Sequence, residues 1–122
     1  MANRNFNRRQ SLEKEVKDIY AKASIGVAGA PTLTSKIGVT SLVRNGAGDY
    51  TITFDDKYSS LKFFEVIHLA SSAQDLSVQI HSELVASSKT VRFLCLTGAT
   101  PTDPANGSSL LIKAELKNTS VI

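Results

Sequence analysis

From Ile37 to the end of this chain, apolar and polar residues alternate with a period of two. That pattern fits half-buried strands and does not fit helices. Ile37 to Val43 reads as a short strand. Arg44-Asn45-Gly46-Ala47-Gly48-Asp49 reads as a turn whose glycines supply positive φ, and Tyr50-Thr51-Ile52-Thr53-Phe54 as the returning strand. Strand, Asn-Gly turn, strand is a strong short-range hairpin signal. Further strands are expected over 61–70, 76–84, 90–96 and 110–116. Leu61, Phe63, Ile67 and Leu69 share one face of the first of these, with Glu65 the exception, and Phe64 and Val66 lie on the other. The polar stretch Gly98 to Ser109 contains Pro101 and Pro104 and is expected to hold no strand. Six strands with no helix between them predict a mainly β body, an antiparallel β-sandwich or barrel of jelly-roll-like type. Its expected core includes Leu42, Ile52, Phe54, Phe63, Ile67, Val78, Ile80, Phe93, Leu110, Ile112 and Leu116.

The residues before that body have a different rhythm. Asn7 and Gln10 have capping-box spacing, and Leu12, Val16, Ile19, Tyr20 and Ala23 fall on one helical stripe. An amphipathic helix from Arg8 to about Ala23 is expected, its stripe lying either on its own domain or against a neighbouring copy. Gly26 to Ser35 has the small, Gly- and Pro-bearing composition of a linker. The resulting division is a basic arm and helix over 1–24, a linker over 25–36 and a β domain over 37–122.

Charge follows the same division. Residues 1–22 hold six Lys/Arg and three acids, a net +3, whereas residues 23–122 hold eight of each sign. Arg4, Arg8 and Arg9 precede the first acid, Glu13, and Phe6 lies among them. Two of these arginines fall in the expected first helical turn, where the macrodipole disfavours cations. Their placement therefore points to an acidic partner, since arginine suits bidentate pairing with carboxylates. The basic start is followed by charged residues and lacks the apolar core of a secretory signal, and no apolar run is long enough to span a membrane.

Catalytic chemistry is hard to place. His68 and His81 lie on different expected strands without a Cys or acidic cluster at metal-ligand spacing. Asp55-Asp56 follows a strand, where Asp commonly forms turns. Gly46-Ala47-Gly48 lacks the following helix of a phosphate loop, and no Gly-x-Ser-x-Gly elbow occurs. Cys95 sits in an apolar run and reads as a buried hydrophobe. No enzyme activity, metal or cofactor is expected. A single-strand nucleic-acid binder would interleave basic residues with exposed aromatics, but alternation sends Phe54, Phe63 and Phe93 inward and the body is neutral. A small basic nucleic-acid-binding barrel is therefore a secondary alternative.

Several strings taken together resemble a family. They are Met1-Ala2-Asn3-Arg4, Leu12-Glu13-Lys14, Gly29-Ala30-Pro31-Thr32-Leu33, Gly38-Val39-Thr40-Ser41, Arg44 to Ile52, Asp56-Lys57-Tyr58 and Leu116 to Val121. In this order they resemble small virion proteins of tailed bacteriophages, namely capsid decoration, cement or head-fibre proteins. The segment GVTSLVRNGAGDYTITF is also similar to hairpins of phage fibre-tip sandwiches. The resemblance implies assembly in the host cytoplasm onto the virion surface, binding to the major capsid protein, and self-association, often as a trimer. A fibre or tail-tip module is the alternative. On this reading Arg4, Phe6, Arg8 and Arg9 contact the capsid, and Leu12, Val16, Ile19, Phe64 and Val66 mediate self-association.

Overall fold

The computed structural model describes residues 16–117. They form nine strands: β1 Val16–Ile25, β2 Pro31–Ile37, β3 Val39–Gly46, β4 Asp49–Phe54, β5 Ser60–Leu69, β6 Ser77–Leu84, β7 Thr90–Thr97, β8 Thr100–Pro101 and β9 Ser109–Lys117. One antiparallel sheet runs β2-β1-β9-β5, and a second runs β3-β4-β7-β6 with β8 on β7. The two sheets share one hydrophobic core, giving the mainly β, sandwich-like body that alternation predicts. The β3–β4 hairpin is present at the expected turn.

The expected helix is not seen in the residues that can be described. Val16 to Ile25 is a ten-residue strand in the interior of the first sheet, paired with β2 on one side and β9 on the other. Its inner row is Ile19, Ala21, Ala23 and Ile25, all buried. Opposite them on β9 stand Ala114 facing Ile19, Ile112 facing Ala21 and Leu110 facing Ala23. Each small side chain thus meets a large one, so side-chain volumes alternate across the pair. The segment read as a linker holds a 3-10 turn, Val27–Gly29, followed by β2, which pairs with β1. β8 is a two-residue ladder within the stretch expected to be strand-free.

Gly38 carries the chain from the first sheet to the second with φ +77, and a Cβ there would collide with the Ile19 side chain. Only glycine meets both demands. In the second sheet, Tyr50 stacks on Phe93 at 5.7 Å between ring centroids, and Phe64 of β5 reaches the same ring at 5.6 Å. These rings, with Ile52, Phe54, Leu110, Ile112 and Leu116, form the centre of the core.

Expectation fails on β5 and β6. Phe63 and Ile67, expected in the core, are about half exposed, while Phe64 and Val66 pack against it. The cause is a β-bulge. Leu61 pairs with Leu116 but Phe63 pairs with Glu115, so Lys62 is an extra residue and the inward parity passes from Leu61 to Phe64, Val66 and His68. Ile80 lies opposite buried Phe93, yet is 46% exposed because β6 is a sheet edge with its own irregularity between Ile80 and Ser82.

Candidate interaction surface

The outer face of the first sheet concentrates exposed apolar side chains. Tyr20 pairs with Ile37 across β1 and β2, and Leu111 pairs with Ile67 across β9 and β5. Phe63 and Leu69 continue the row along β5, and all six are exposed. A shallow cleft of about 370 Å³ lies among Tyr20, Lys22, Ser35, Glu65, Ile67, Leu111 and Lys113. Charges of both signs are set into this face. Lys113 pairs with Glu115 at 3.7 Å, and its ammonium sits 5.9 Å from the Tyr20 ring centroid. Exposed apolar side chains gathered on one face are a feature of interaction surfaces.

Two arginine–carboxylate forks stiffen the second sheet and its loops. Asp103 accepts from Arg44 Nε at 3.0 Å and Nη2 at 2.8 Å, and from the Gly48 backbone N–H at 2.8 Å. Gln74 bonds to the Asp103 carbonyl and the Ala105 N–H, binding the 70–76 connection to the same loop. Asp49 accepts from Arg92 Nε at 2.9 Å and Nη2 at 2.6 Å, and from Asn45 at 3.2 Å. In each case the hydrogen-bonded guanidinium holds the carboxyl below the usual carboxylate range. The buried Tyr50 hydroxyl donates to Gly29 O at 2.7 Å, and burial raises its pKa. Burial also pushes the Cys95 thiol up to about 12, which leaves it a thiol at neutral pH.

At the end of the body where β1 begins, a second, more polar cleft of about 810 Å³ is lined by Val16, Lys17, Asp55, Asp56, Lys57, Tyr58 and Lys89. Asp55 accepts a 2.7 Å bond from the Thr40 hydroxyl of β3, fifteen residues away in sequence. Among the described residues no group of His, Cys, Asp and Glu is placed to hold a metal ion, and no helix is long and apolar enough to cross a membrane.

Of the residues expected to bind the capsid, Arg4, Phe6, Arg8 and Arg9 lie outside the described residues, as does Leu12 of the self-association stripe. Val16 is half-buried, and Ile19 is wholly buried in the core, so it is no part of an exposed stripe. Phe64 and Val66 are half-buried and face inward along an edge strand. No family model, curated protein or solved structure matches this chain. The exposed row therefore stands on its geometry alone. The sequence alone assigns Phe63 and Ile67 to the core, sets Leu69 on their face, and does not single out Ile37 or Leu111, while it puts Tyr20 on a helical stripe. Glu65, sharing a face with Phe63 and Ile67, was the signal that this face meets water.

Proposed function

We propose that this protein is a non-enzymatic structural component of a tailed-phage virion that binds the outside of the capsid and decorates or cements it. Its copies self-associate into a homo-oligomer. The observation that carries the reading is the concentration of net charge toward the first residues of the sequence. A net +3 lies in residues 1–22, while residues 23–122 sum to zero. The sandwich, net +1 over residues 16–117, offers the outer surface, and the arginines at 4, 8 and 9 pair with carboxylates of the major capsid protein. The apolar row on the first sheet supports self-association.

Virion stoichiometry tests this directly. In purified particles quantified by mass spectrometry, the chain should appear in a fixed, high ratio to the major capsid protein. A few copies per particle would instead identify a fibre or tail-tip module. Absence from virions, with salt-dependent retardation of DNA, would identify a nucleic-acid binder.

A further inference from the structure

The two sheets leave four edges, formed by β2, β5, β3 and β6. Three are interrupted by an extra residue within the strand. Thr34 interrupts β2, Thr40 and Asn45 interrupt β3, and His81 interrupts β6, so no regular run on these edges exceeds four residues. β2 also carries Pro31 and Lys36. Such bulges, prolines and lysines are how native sheets prevent edge pairing. β5 differs. Its extra residue, Lys62, lies near its start, and Phe63 to Leu69 then run seven residues in unbroken register with β9. The run is Phe-Phe-Glu-Val-Ile-His-Leu, with no proline or lysine. Among the described residues no strand pairs with its other side.

We propose that β5 pairs antiparallel with β5 of a second copy, across a two-fold axis at Val66. This rests on the self-association part of the reading above and assigns it a dyad in place of the three-fold symmetry implied by the phage resemblance. Register selects the axis. Residues directly opposite in an antiparallel pair share a face, so a dyad must pass through a residue whose neighbours match in parity. Centred on Val66, the whole run pairs with itself. Phe63 faces the partner's Leu69, Glu65 faces the partner's Ile67, and Phe64 faces the partner's His68. Centring on Glu65 sets two carboxylates against each other, and centring on Ile67 leaves only five residues of the run paired. A second copy thus matches this edge in length, parity and charge. It also covers the half-exposed Phe64 and Val66 and joins the two outer rows of Phe63, Ile67 and Leu69 into one.

Ile67 is half exposed, so polar variants at this position should fold. Ile67→Glu sets a second carboxylate against Glu65 on both sides of the dyad, whereas Ile67→Lys sets an ammonium there. The two lose the same apolar side chain and carry opposite charges. Sedimentation equilibrium of the full chain at tens of micromolar, with folding checked by far-UV circular dichroism, should show a wild-type dimer. The Glu variant should dissociate about tenfold or more readily than the Lys variant, from two cross-strand pairs changing sign. Equal dissociation of the two variants overturns the register. A wild-type trimer overturns the dyad while leaving self-association intact, and a wild-type monomer overturns both. Capsid attachment is read separately, from virions, and does not depend on any of these outcomes.

Discussion

Asp103 ties three parts of the chain together through one carboxylate. It fixes Arg44 of β3, the Gly48 N–H of the hairpin turn and its own loop, while Gln74 holds that loop's backbone. Gly48 needs its positive φ and its missing Cβ here, because a methyl group would press on the Cys95 carbonyl and the Thr102 amide. With both Asp103 and Asp49 held below the usual carboxylate range, the folded state binds fewer protons than the unfolded chain. Their contribution is present above the ordinary value of 3.8 and is lost as pH falls below it through the depressed folded values. Both sites are partly open to water, so each contribution is screened. We expect the urea midpoint to be insensitive to these groups between neutrality and about pH 5, then to fall in acid. Asp49→Asn with Asp103→Asn should lower the plateau and flatten that acid fall. An unchanged acid slope in the double variant would show that the forks do not set it.

At the scale of elements, β1 and β5 separate what could be read from sequence from what could not. Val16 to Ile25 carries two periodicities at once. Val16, Ile19, Tyr20 and Ala23 fit a helix, while Ile19, Ala21, Ala23 and Ile25 fit a strand. Alanine decides between them. It is the best helix former, so locally it favours the wrong answer. Its strand role appears only against Ile112 and Leu110 on β9, nearly a hundred residues away. Truncating Ile19 to Ala should destabilise the fold by about 2–5 kcal/mol, and Phe93 to Ala by about 3–5, as measured by urea unfolding. A cost near zero for Ile19→Ala would mean that β1 is not an interior strand. The β3–β4 hairpin was legible from its Asn-Gly turn although Thr40 and Asn45 interrupt β3, and the inner rows of β4, β7 and β9 were legible because each keeps its period. β5 was legible as a strand but not in its facing, because one bulge residue, Lys62, inverts every side chain after it. The contact row was missed for the same reason. Its β5 members were assigned inward, and its members on β1, β2 and β9 become neighbours only through long-range register.

For the molecule as a whole, a two-sheet body of net +1 over residues 16–117 follows a segment of net +2 over residues 1–15. On the proposed function, the body carries self-association and residues 1–10 carry attachment. Changing Arg4, Arg8 and Arg9 together to Ser should therefore reproduce much of the effect of removing the whole segment. The deficit should narrow at high salt, where screening, within about 3 Å at 1 M, removes the arginines' attraction from the full chain as well. The most direct test is rebinding of purified protein to capsids that lack it, comparing the full chain with one beginning at residue 11. The account predicts that both fold to the same β-rich spectrum, but that only the full chain saturates the shells while the shortened one binds weakly or not at all. Equal binding by the two would contradict it and place attachment on the sandwich itself.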